Sequence, residues 1–143
     1  MDSQNTRDIG LRLSAVARML RQEFDRAVAE LGITRSQWTM IVVVARRPGA
    51  TQREIAEVLD VSEASAGRLI DRLCADGLLE RHEHPDDRRA RVVSVTEKAR
   101  PLLDKLSELG RSNERRVFRD FSETELESLS DLLDKLYRTL SRN

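Results

Sequence analysis

Cysteine is almost missing from this chain: Cys74 stands alone among 143 residues. One thiol excludes an intrachain disulfide framework and fits a reducing compartment. Aromatic residues are scarce as well, at 3%, with a single tryptophan and a single tyrosine. So few large rings argue against a big self-sufficient core and leave apolar surface for burial between subunits. Neither sign of charge dominates, since 25 basic residues offset 25 acidic ones. Nucleic-acid binding therefore cannot be argued from bulk charge and must rest on where individual arginines point. The longest apolar block is Ile41 to Ala45, far short of a membrane span. The opening MDSQNTRDIG has no apolar stretch behind a basic region and does not read as a secretory signal, so a cytoplasmic location is expected. There is no Gly-rich phosphate loop, metal triad or nucleophile elbow, which points away from an enzyme and from any cofactor. No internal repeat or low-complexity segment interrupts the chain, whose length fits one compact subunit.

What is present is well-punctuated helix. Leu13, Val16, Leu20, Phe24, Ala27 and Leu31 recur every three or four residues, which predicts a first helix from about Thr6 to Leu31, ended by Gly32. Thr34 with Gln37 has the spacing of a capping box and opens a second helix, with Trp38, Ile41, Val42 and Ala45 expected inward and Pro48-Gly49 as its stop. Thr51 with Glu54 repeats the device for a short helix, Gln52 to Leu59. Ser62 caps the next, Glu63 to about Asp76, with Ala66, Leu69, Ile70 and Leu73 inward. Two short helices joined at Asp60-Val61 have the dimensions of a helix-turn-helix. After Gly77, the strand-like pieces Leu78 to Arg81 and Ala90 to Val95 flank a charged tip, His84 to Arg89. A helix followed by an arginine-tipped hairpin suits DNA, the helix in the major groove and the hairpin in the adjacent minor groove.

Thr96 starts a further long helix, with Pro101 implying either a slight kink or a later true start. Ser122 with Glu125 forms a third capping box. Beyond it Leu126, Leu129, Leu133, Leu136 and Leu140 are spaced three and four apart, as a heptad seam. The terminal helices are read as a two-fold dimer interface built from the first, fifth and sixth helices; an intramolecular bundle is the alternative. The expected class is thus mainly α with a small β-wing: a winged helix-turn-helix at 33–96, an N-terminal dimerisation helix at 1–32 and C-terminal dimerisation helices at 97–143.

The stretch Leu69 to Arg81, LIDRLCADGLLER, followed by Asp86 to Ala99, DDRRARVVSVTEKA, resembles the MarR family of bacterial transcriptional regulators, and its SlyA-like branch most. The marks are a helix ending in glycine, a strand, an Asp-x-Arg wing tip (Asp87-Arg88-Arg89), and a second strand running into Val95-Thr96; Ile33 to Met40 is similar to the family's second-helix start. The resemblance implies a homodimer on an inverted-repeat operator in double-stranded DNA, usually repressing, and released in many members by a small aromatic carboxylate or phenolic effector. It places Arg88 in the minor groove and Arg89 in a pair with Asp71, and it aligns Arg18 and Arg68 with basic effector-pocket positions. Val42 stands where SlyA-like pockets carry a polar residue.

On physical grounds, Ala64 can touch a thymine methyl, Ser65 can hydrogen-bond a base edge, and Arg68 can reach a guanine or a phosphate. Ser62 is either a further contact or simply the cap, and serine's preference for that position favours the cap. Asp87 can hold a wing arginine, and Arg89 can either take the minor-groove place itself or pair with Asp71. Arg53, Arg72 and Arg91 reach phosphates or remain solvated. Trp38 is a core residue or, with Arg18, Val42 and Arg68, part of an effector pocket, which the resemblance places where the second helix meets the first and fifth. Cys74 reads as a small buried hydrophobe rather than a redox sensor, and His82 with His84 as surface histidines rather than a zinc site. One rival class survives: a winged-helix protein-interaction module without specific DNA binding. Between residues 62 and 91 it has seven acidic residues against six arginines in its favour.

Overall fold

The computed structural model describes residues 3–142. It holds six α-helices and one hairpin among those residues: α1 Ser3–Ala29, α2 Arg35–Arg46, α3 Gln52–Leu59, α4 Glu63–Ala75, β1 Leu79–Glu83, β2 Arg91–Val95, α5 Arg100–Val117 and α6 Glu123–Leu140. The chain divides into two compact units at Gly110/Arg111.

Local chemistry explains the boundaries. All three capping boxes form, at Thr34/Gln37, Thr51/Glu54 and Ser122/Glu125, so each helix start has two backbone donors satisfied reciprocally. At α4 the Ser62 hydroxyl accepts from the Ser65 N–H at 3.0 Å. Asp60 ends α3 in the left-handed region (φ 52°), a conformation that aspartate tolerates better than most. Gly77 (φ 76°) turns the chain from α4 into β1. There the Leu78 N–H reaches back to Leu73 O at 2.9 Å and supplies a helix-end carbonyl with its partner.

The hairpin is antiparallel, with Leu79 opposite Val95 and Glu83 opposite Arg91. Its strands run two residues further toward the tip on the first side than the sequence signal, which fades in the polar run His82-Glu83. A bridge between Thr51 and Val92 ties the α2–α3 loop to the second strand. The hairpin's base is fastened to the end of α4: Thr96 Oγ1 donates to Gly77 O at 2.6 Å and Lys98 Nζ to Asp76 O at 2.9 Å. Thr96 therefore does not open a long helix. A 3-10 turn, Glu97–Ala99, follows it, and α5 begins at Arg100. Pro101 then sits in the first turn, where its missing N–H leaves no bond unmade.

The core is one cluster contributed by α2, α3, α4 and the hairpin: Met40, Ile41, Val44, Ile55, Ala56, Ala66, Ile70, Leu73, Leu79 and Val93 are all buried. In α2 the buried stripe is Met40, Ile41 and Val44, whereas the expected Trp38, Val42 and Ala45 are only half-buried. The run Met40 to Ala45 is apolar throughout, so no polar residue fixes the helix's phase from sequence.

Candidate nucleic-acid interface

The N-terminal face of α4 is open. Ser62, Glu63, Ala64, Ser65, Arg68 and Arg72 are all exposed, while Ala66, Ile70 and Leu73 anchor the opposite face in the core. Ser62 is the helix cap, and its hydroxyl donates to Ser65 Oγ at 2.9 Å. Arg68 Nη2 donates to the same Ser65 oxygen at 3.1 Å. This short chain pre-orients the Arg68 guanidinium along the helix surface without burying it.

The wing is an ordered turn. Asp87 Oδ1 accepts from the Arg89 N–H at 2.9 Å, His84 Nδ1 from the Asp86 N–H at 3.1 Å, and Ala90 O from the His84 N–H at 3.2 Å. Asp87 thus shapes the tip by holding backbone, not by holding the Arg88 side chain. Arg88 and Arg89 are exposed. His82 is occupied by Ser94 Oγ at 2.9 Å and by Glu80 at 3.3 Å.

Between wing and helices lies a cleft of about 400 Å³, lined by Thr51, Gln52, Arg53, Glu63, Asp87, Arg89, Ala90 and Arg91. It gathers Arg53 from α3 with Arg89 and Arg91 from the hairpin. Their guanidinium charges outnumber the two carboxylates there, although the whole chain is neutral. Arg53 also pairs with Glu57 across one helical turn at 3.5 Å, both partners being well exposed.

Asp71 does not pair with Arg89. Its partner is Arg81, whose Nη1 lies 2.6 Å from Asp71 Oδ1. Arg81 also donates from Nε to Gln52 Oε1 at 3.0 Å and from Nη2 to Gly67 O at 3.1 Å. Arg81 is on β1, two residues past the start of the hairpin, and half-buried against α4; Arg89 is out at the tip, beyond that reach. The sequence reading missed Arg81 as a functional residue. The only available signal was an arginine on the inward-facing phase of a strand. Gly67 belongs to the same junction, because a Cβ there would come within 2.9 Å of Gln52 Nε2. Cys74, close by, is half-buried, and burial raises its thiol pKa above the ordinary value, against the opposing effect of Arg81. A thiol held protonated is a poor nucleophile and a poor oxidation sensor.

A second groove, of about 580 Å³, runs on the other side of α4, between that helix, the start of α2 and the end of α3. Met40, Leu59, Val61 and Leu69 give it an apolar floor, and Arg35, Arg68 and Arg72 line it with Ser36, Thr39 and Ser65. Of the four candidate effector residues, Arg68 lines this groove and Arg18, Trp38 and Val42 do not; the groove lies among α2, α3 and α4 and takes no residue from α1 or α5, where the expected pocket would have been. Arg18 is exposed on α1. Trp38 packs edge-on against Phe24, with ring centroids 4.8 Å apart, and donates from Nε1 to Asp25 Oδ1 at 3.2 Å. Arg35 holds the other oxygen of Asp25, from Nε at 2.7 Å and from Nη2. This lowers the Asp25 pKa and raises that of Arg35.

The MarR family model matches residues 31–90, from just past the end of the first helix to the wing tip. The HTH-type transcriptional regulator BilQ of Clostridium symbiosum is 30% identical over 108 residues, covering 76% of this chain and 75% of its own. The chain belongs to the MarR family. It is accordingly a transcriptional regulator of a non-enzymatic, DNA-binding kind. The crystal structure of the regulator SlyA matches with a TM-score of 0.81 at 27% identity, over 94% of this chain and 95% of that one. CouR from Rhodococcus jostii, solved bound to p-coumaroyl-CoA, matches with a TM-score of 0.77 at 26% identity, over 90% and 91%. A MarR mutant from E. coli complexed with operator DNA shares the fold, with a TM-score of 0.79 at 23% identity over 95% and 99%. No helix among the described residues is long and apolar enough to cross a membrane.

Proposed function

We propose that this regulator is a cytoplasmic homodimeric repressor that holds an inverted-repeat operator and releases it when a small aromatic carboxylate or phenol binds. Residues 33–96 read the DNA; residues 1–32 and 97–143 join the subunits. The observation that carries the DNA role is the open face of α4 beside the arginine-rich wing cleft. Ala64 and Ser65 are small enough to let the helix backbone approach base edges, and Arg68 extends beyond them. Arg88 enters the neighbouring minor groove, while Arg53, Arg72, Arg89 and Arg91 meet phosphates and set the register. A two-fold pair of such helices reads half-sites about 34–36 Å apart.

The effector reading is supported by the groove behind α4. Its size suits a small aromatic acid, and three arginines on an apolar floor suit a flat carboxylate. Arg68 and Ser65 belong to both surfaces, so a ligand that engages Arg68 withdraws it from DNA. CouR, with its bound p-coumaroyl-CoA, lends support from a similar protein.

A gel-shift with the promoter of the protein's own gene, run at two salt concentrations, tests the DNA reading. Binding is expected to exceed that to competitor DNA. Arg88→Ala is expected to weaken it on every sequence and to lower the slope of log affinity against log salt by about one. Absence of any preference over competitor DNA leaves the protein-interaction module as the better account.

A further inference from the structure

Arg35 belongs to two structures at once. Its guanidinium holds Asp25 of α1, and the same residue lines the groove behind α4. The hold is divided. Asp25 gives Arg35 only one oxygen, Oδ2, for both Nε and Nη2, while Oδ1 is taken by the Trp38 indole. Arg35 remains about half exposed, so its further N–H groups are accessible. A ligand carboxylate in the groove brings two oxygens in the fork geometry that a guanidinium matches best, with Arg68 and Arg72 beside it.

We propose that Arg35 is a shared cation: an organic carboxylate seated in the groove draws it from Asp25 and so loosens the junction of α1 with α2. The inference rests on the effector reading of the groove and adds the route by which occupancy beside the reading helix reaches the N-terminal helix. The groups facing Asp25 are Arg35, Trp38 and, at longer range, Arg21. Arg21 therefore still compensates the carboxylate in part after Arg35 leaves, which keeps the exchange within reach of a small ligand. By thermodynamic reciprocity, whatever weakens the Asp25–Arg35 pair must strengthen the ligand, and the reverse.

The chain supplies its own reporter, because Trp38 is its only tryptophan and its indole N–H sits on Asp25. Salicylate is titrated into full-length wild type, Asp25→Asn and Arg35→Gln, with binding followed by calorimetry and Trp38 by its emission. In wild type the emission change and the heat are expected to share one midpoint. Asp25→Asn is expected to bind salicylate at least about fivefold more tightly, the lower end of ordinary site-to-site couplings, and to lose the emission change. Arg35→Gln is expected to bind more weakly and to start from the emission of ligand-bound wild type; it carries the test alone if Asp25→Asn does not fold. Equal affinity in wild type and Asp25→Asn, with Trp38 silent, overturns the exchange and leaves the effector groove standing. No binding by any of the three proteins overturns the groove reading and the exchange together.

Discussion

Each of the three guanidinium nitrogens of Arg81 has a different neighbour: Gln52 on α3, Gly67 O on α4 and Asp71 on α4. One side chain from the wing's first strand thereby fixes both helices of the helix-turn-helix against the hairpin. A lysine offers a point charge and cannot reproduce that fork. Asp71 is largely exposed, so the ion pair itself is screened and contributes little. Most of the effect lies in the hydrogen bonds to the two neutral oxygens. Arg81→Ala is expected to lower the unfolding free energy by about 1–2 kcal/mol in urea melts, and Arg81→Lys to recover roughly half of that or less. A lysine variant as stable as wild type would mean that the charge alone matters. The position was hard to read in the sequence because Arg81 lies among six arginines between residues 62 and 91, and only the strand's phase separates it from the solvated ones.

At the scale of elements, the helix starts marked by a capping hydroxyl were legible, whereas the start of α5 and the strand ends were not. Thr34, Thr51, Ser62 and Ser122 announce their helices because a capping hydroxyl and its partner three residues on are local chemistry. The exposed side of α4 followed directly from that start and from the apolar spacing of Ala66, Ile70 and Leu73. The hairpin was legible as a hairpin, but its charged flanks hid the pairing of Glu83 with Arg91. Thr96 misled because its hydroxyl serves Gly77 O, a contact nineteen residues away that no local pattern encodes. The groove behind α4 was illegible for the same reason: Arg35, Leu59 and Arg72 are brought together only by packing. The junction of α1 and α2 has a testable pH signature. Arg35 lowers the Asp25 pKa below its ordinary 3.8. A carboxylate whose folded pKa is depressed adds stability above its unfolded value and loses it as pH falls through the folded one. Thermal melts of wild type and Asp25→Asn should therefore differ at pH 6, with wild type the more stable. The difference should close as pH falls below 3.8 through the lowered value. A gap that stays constant down to strong acid would place the stabilising contact elsewhere.

For the whole molecule, the question is where the leftover apolar surface goes. α6 has no buried residue, and Leu132, Leu133, Leu136, Tyr137 and Leu140 are each at least 40% exposed. Ile9, Leu11, Val16 and Met19 on α1 are as open. So many apolar side chains on regular helices, in a chain with few aromatics, call for a partner surface, and a second copy supplies one by symmetry. On the proposed dimer a neutral chain would hold DNA through two wings and two exposed helices at once, the second contact being made at a high effective concentration. Leu133→Glu combined with Leu136→Glu places two carboxylates on this face. Glutamate is a good helix former, so α6 itself should persist. Sedimentation equilibrium is expected to find wild type dimeric and the double variant monomeric at micromolar concentration. Operator affinity in the variant is expected to fall by about 10²–10⁴-fold, the usual worth of a tethered second site, while circular dichroism stays unchanged. A variant that remains dimeric and binds its operator as before would show that the leucine seam of α6 packs within one chain, and that the subunits, if they pair, do so through another face.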